Sequence, residues 1–172
     1  MRIPFLFILL IVYSCSQNKQ DSLSISKEKN NISKTLNNWH KAASEADFEA
    51  YFSAMDSISV FIGTDATENW TKKEFKNFSK PYFDKGKAWS FTAVERNIYL
   101  KKNRGFAWFD ELLDTWMGAC RGSGVLEKTN GQWKIKHYVL SVTIPNDDIQ
   151  KVLDFKISKD SIYLKSLTSK LE

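Results

Sequence analysis

A chain of 172 residues is long enough to bury one sizeable core, so one folded domain is expected beyond any targeting segment. The formal charge is +5, but the bases are spread along the chain and no run interleaves them with exposed aromatics, which excludes a nucleic-acid groove. Two His and two Cys without ligand spacing give no support to a protein metal site, no cofactor is expected, and an aromatic content of 14% is enough to fill a core or wall a cavity.

Residues 1–15 read as a processing segment, with Arg2, an apolar run from Ile3 to Val12, then Tyr13-Ser14-Cys15. The run is too short to span a bilayer and has the layout of a signal peptide. Val12-Tyr13-Ser14-Cys15 resembles a bacterial lipobox, which implies a lipid on Cys15 and a protein anchored at the cell envelope, on the periplasmic or outer-membrane side. An ordinary secretory signal is the alternative. Residues 16–31 are polar, as a tether would be. With Cys15 lipidated, Cys120 has no disulfide partner and is expected as a small buried residue in a strand.

The folded region is expected from Ile32 to Phe155, with residues 156–172 as a tail whose order stays open. Ile32, Leu36, Trp39, Ala43 and Ala46 share one face of a helix about fifteen residues long, and His40 falls beside that stripe, facing solvent. Asp47 can cap a second helix carrying Phe48, Tyr51, Phe52 and Met55. A β-rich run follows from Ser57 to Thr64. A third helix starts at Thr71, whose spacing to Glu74 is that of a capping box, with Trp70 and Phe75 placed as a hydrophobic staple. Pro81 should break or redirect it and Gly86 should end the segment.

From Trp89 the period changes to that of strands. Four are expected, over residues 88–101, 106–114, 115–128 and 132–144, the last two joined at Asn130-Gly131, which accepts the positive φ angles of a tight hairpin. Pro145 stops the last strand, and Asn146 starts a short helix. The fold class is α+β.

Strict alternation places Trp133, Ile135, His137, Val139 and Ser141 on one face, opposite Lys134 and Lys136, which should meet water. That makes the His137 face the interior one, with Ser141, and it brings in Arg121 and Asp110 from the neighbouring strands. Ionisable groups among rings suit a pocket. Equally, Asp110 and Arg121 can pair with each other and His137 with a neighbour, without chemistry. Gly122-Ser123-Gly124 lies in a strand and marks a bend or bulge rather than a phosphate loop. Asp110 and Glu111 are adjacent in a strand, point to opposite faces and cannot act together.

Trp108-Phe109-Asp110-Glu111, Arg121-Gly122-Ser123-Gly124-Val125-Leu126 and Gly131-Gln132-Trp133-Lys134-Ile135, leading through His137 and Ser141 to Pro145-Asn146, resemble the second half of SnoaL-like domains of the nuclear transport factor 2-like superfamily. Phe61-Ile62-Gly63-Thr64-Asp65 and the Trp70 helix also fit. The resemblance implies a cone, a curved, mostly antiparallel sheet wrapped around N-terminal helices. The superfamily includes enzymes and association domains, so fold does not fix function. The leading expectation is a lipid-anchored protein whose cone binds a small apolar or amphipathic ligand. Trp39, Tyr51, Phe61, Trp70, Phe78, Tyr82, Trp89 and Trp108 would be the walls, with Asp110, Arg121, His137 and Ser141 as polar anchors. The alternatives are a lyase or isomerase using Asp110 or His137 as acid/base, and a homodimerising association module.

Overall fold

The computed structural model describes residues 4–102 and 104–169, with side chains from Leu23 onward. The expected lipidation of Cys15 concerns a side chain outside the described residues. Contacts divide the chain into two compact units, Met1–Val142 and Thr143–Glu172.

The first unit opens with helix α1 (Pro4–Ser44), followed by α2 (Phe48–Ser53), strand β1 (Met55–Ile62), the short β2 (Asn69–Thr71) and helix α3 (Lys72–Asp84). Strands β3 (Thr92–Leu100), β4 (Phe106–Thr115), β5 (Gly118–Thr129) and β6 (Gln132–Val142) complete it. The predicted stripe of α1 is the buried one at Ile32, Leu36, Trp39 and Ala43. Helical backbone also runs upstream of Ile32, and Glu28 already binds the body, accepting from Lys128 Nζ at 2.7 Å and Trp133 Nε1 at 2.9 Å. Apolar spacing starts at Ile32 because the upstream attachment is polar and carries no hydrophobic period.

Capping residues act as their chemistry requires. The Asp47 carboxylate accepts from Ala50 N at 2.9 Å and starts α2. Thr71 and Glu74 close a capping box on α3, with Trp70 stacked on Phe75 at 5.5 Å. Pro81 does not break α3, which continues to Asp84: the ring stands in the closing turns, where it removes a single backbone donor. Gly86, at φ +79°, then ends the segment by donating to Phe83 O.

The six strands form one sheet in the order β2-β1-β6-β5-β4-β3. All pairings are antiparallel except β1 with β6, where the first long strand lies parallel to the last, with Phe61 opposite Tyr138. The expected meander is β3 to β6, and Asn130 and Gly131, both at positive φ, make the tight turn before β6. Rings hold the helices to the concave face: Trp39 stacks on Tyr51 at 4.9 Å and meets Tyr138 edge-on at 4.8 Å, while Phe61 stacks on Phe75 at 4.0 Å. Cys120 is buried, as its strand position implied.

The second unit contains a single 3₁₀ turn (Asn146–Asp148) and helix α4 (Ile149–Thr168). The expected short helix therefore extends through most of the tail. Its larger apolar side chains, Phe155 and Ile162 among them, are exposed. Among the described residues no helix is long and apolar enough to cross a membrane.

Candidate functional site: a buried ion network and an aromatic mouth

A single extra residue decides which side chains enter the cone. In the β5–β6 ladder Val125 faces His137, but the next residue, Leu126, faces Ile135, leaving Lys136 without an opposite number. This is a β-bulge, and it reverses the alternation of everything beyond it. Trp133 and Ile135 are buried before it, Tyr138 and Leu140 after it. Lys136 itself turns to Asp56, Nζ to Oδ1 3.1 Å.

The polar anchors expected from strict alternation therefore lie elsewhere. His137 and Ser141 face outward, His137 half-buried and Ser141 exposed. Asp110 and Arg121 are also on the outer face, because β4 buries Ala107, Phe109, Glu111 and Leu113, and β5 buries Cys120 and Leu126. Asp110 and Arg121 do meet, Oδ1 to Nη1 3.6 Å, as a diagonal pair across the outside of the sheet. No acid/base pair of Asp110 and His137 forms inside the cone.

The inner charge is Glu111, fully buried. Its Oε1 accepts from His40 Nε2 at 2.8 Å and from the Tyr138 hydroxyl at 3.0 Å. Its Oε2 accepts from Arg96 Nε at 2.8 Å and lies 2.7 Å from Arg96 Nη2. Arg96 Nη1 in turn donates to Asn37 Oδ1 at 2.6 Å and to Ser33 O and Oγ at 3.2 Å. Burial pushes the Glu111 carboxyl up, and the bond from His40, with the charges of His40 and Arg96, more than reverses this, holding it below the usual carboxylate range. Burial and the neighbouring Glu111 push the Tyr138 phenol well up, so it serves as a neutral donor. His40, expected at the surface, is buried because the curved sheet reaches around α1 and presents Glu111 to the flank beside Trp39. Gly122 makes the space: a Cβ there would overlap the Tyr138 hydroxyl and lie 3.0 Å from Glu111 Cγ. The signal for this network was present in β4, where a carboxylate interrupts an otherwise apolar face and so demands a cation.

Among the aromatic walls, Phe61, Trp70, Phe78 and Trp89 converge with Trp116 and Leu140 around a cavity of about 160 Å³ at the mouth of the cone, with Thr64 and Glu68 at its polar rim. Trp39 and Tyr51 are packed solidly in the core and bound no part of that cavity. Tyr82 is exposed behind Phe78, at 5.5 Å. Trp108 lies on the outer sheet face, so it cannot wall the interior. Trp116, absent from the predicted walls, is brought in by the turn between β4 and β5.

Compared with known families, residues 32–145 match the SnoaL-like domain, more than half of the chain. The chain belongs to the SnoaL-like domain family. Comparison with curated proteins gives no match. Solved structures with the same fold include a domain of unknown function with a cystatin-like fold from Nostoc punctiforme (TM-score 0.61, 14% identity, covering 84% of this chain and 96% of that one). An NTF2-like protein of unknown function from Pseudomonas putida is similar (TM-score 0.58, 13% identity, 71% of this chain and 90% of that one). So is the association domain of C. elegans CaMKII (TM-score 0.57, 22% identity, 69% of this chain and 98% of that one).

In this SnoaL-like domain, then, the sheet interior contains two chemically different regions. Deep inside, Glu111, His40, Arg96 and Tyr138 satisfy one another. At the mouth, rings surround a small space and the polar groups are at its rim. The first ties α1 to β3, β4 and β6, and the second is an aromatic recess with a polar rim.

Proposed function

We propose that this SnoaL-like domain is a binding module that takes a small, ring-bearing apolar ligand at the mouth of its cone. The observation that carries the reading is the cavity of about 160 Å³ walled by Phe61, Trp70, Phe78, Trp89 and Trp116. An apolar space of roughly 150 Å³ is of a size to hold one benzene ring. Binding without turnover fits the interior, where the ionisable groups are engaged with each other. Glu68 and Thr64 at the rim would orient a polar substituent.

Thermal-shift titration with indole and p-cresol tests this. A saturable rise in Tm is expected, lost in Trp70→Ala. If neither compound raises Tm at concentrations approaching its solubility, the reading fails.

The same reading places the domain at the bacterial cell envelope, held by a lipid on Cys15; what supports it is the apolar run Ile3 to Val12 followed by the lipobox-like Val12-Tyr13-Ser14-Cys15. Intact mass of the membrane-extracted protein is expected to show a chain starting at an acylated Cys15. An unmodified Cys15 would exclude the anchor.

A further inference from the structure

We infer that the β3–β4 tip is a docking surface for an anionic lipid bilayer. Between Leu100 and Phe106 the hairpin turns beside α1, and a groove of about 610 Å³ opens there. Lys29, Lys101, Lys102 and Arg104 line it together with Tyr99 and Trp108, and no carboxylate does. Tyr99 and Trp108 are stacked at 5.6 Å, yet 44% and 46% exposed. Phe106, 6.5 Å from Trp108, extends this exposed aromatic row along β4.

The acids nearby are committed elsewhere. Glu28 holds Lys128 and Trp133, Glu127 faces Lys136 at 3.4 Å, and Asp110 faces Arg121. Among the described residues no carboxylate pairs with Lys29, Lys101 or Lys102. Tyr and Trp with one apolar and one polar end, beside Lys29, Lys101 and Lys102, match the interfacial zone of a bilayer, where rings sit at headgroup depth and lysines meet lipid phosphates. A soluble anion would use the charges but leave the aromatic row in water.

Position favours the same occupant. Ile25 and Lys29 border the groove, and from them the chain leads back to the N-terminal segment, which either its apolar run Ile3 to Val12 or a lipid on Cys15 would hold at a bilayer. The inference shares no residue with the cone mouth and does not need a lipid on Cys15.

The test is sedimentation of the full chain with vesicles of phosphatidylcholine, alone or mixed with phosphatidylglycerol. Binding to the neutral vesicles reports the N-terminal segment, by its apolar run or by a lipid on Cys15; the excess on anionic vesicles reports the tip. That excess is expected to fall about tenfold or more in Lys101→Glu/Lys102→Glu and on raising the salt, while neutral binding stays. Brominated lipid should quench the wild type more than Trp108→Phe. Equal binding to both vesicles overturns the inference. So does undiminished anionic binding by the charge-reversed protein, given an unchanged circular dichroism spectrum. A concentration-dependent dimer that the same variant abolishes, without anionic excess, would instead assign the surface to a second copy of this chain.

Discussion

Glu111 is the residue on which the interior turns. Replacing it with Gln would leave Arg96 buried without its counter-ion, and removing one partner of a buried pair costs about 3–5 kcal/mol. Urea unfolding of Glu111→Gln should therefore show a markedly lower midpoint. The pH response follows from the same side chain. Its carboxyl is held below its ordinary value of 4.5 in the folded protein, so its contribution is fully present above that pH and is lost as pH falls through the lower folded value. The wild type should lose stability on acidification below about pH 4.5, more steeply than Glu111→Gln, as read from Tm against pH. Gly122→Ala should also destabilise, by roughly 1–3 kcal/mol of overpacking, because Tyr138 and Glu111 occupy the space a methyl would need.

Individual elements differ in how openly the sequence declares them. The α3 start was readable because capping is local chemistry: Thr71, Glu74, Trp70 and Phe75 are all within six residues. The hairpin at Asn130-Gly131 was readable for the same reason. The Lys136 bulge was not, since whether a strand inserts one residue depends on its neighbours, here Leu126 and Val125 across the ladder. Missing it inverted the inner and outer sets on β4, β5 and the far half of β6, which moved His137, Ser141, Arg121 and Asp110 to the wrong side. Phe61, Trp70, Phe78 and Trp89 all precede the bulge in the chain, so their grouping around one cavity does not depend on it. Thr71→Ala should lower stability by about 1 kcal/mol in chemical denaturation. Since α3 carries Phe75 and Phe78, that variant should also weaken indole binding at the mouth.

Across the whole first unit, stability should be graded from the centre of the sheet to its edges. Strands β5 and β6 are paired on both sides, whereas β2 and β3 each have one neighbour. Amide hydrogen exchange followed by NMR is expected to be slowest at Gly122 to Leu126 and Tyr138 to Leu140, and fastest at Asn69 to Thr71. The parallel pairing of β1 with β6 has a consequence for how the chain comes to be folded. Phe61 finds Tyr138 only after the intervening loop of chain has been synthesised and turned through every other strand. Until then β1 has only the three-residue β2 to pair with, and the backbone edge that will meet β6 stays open. Such long-range closure makes folding slow and leaves an aggregation-prone edge while it lasts. Refolding of this protein is therefore expected to lose yield as its concentration rises, until β6 has closed on β1.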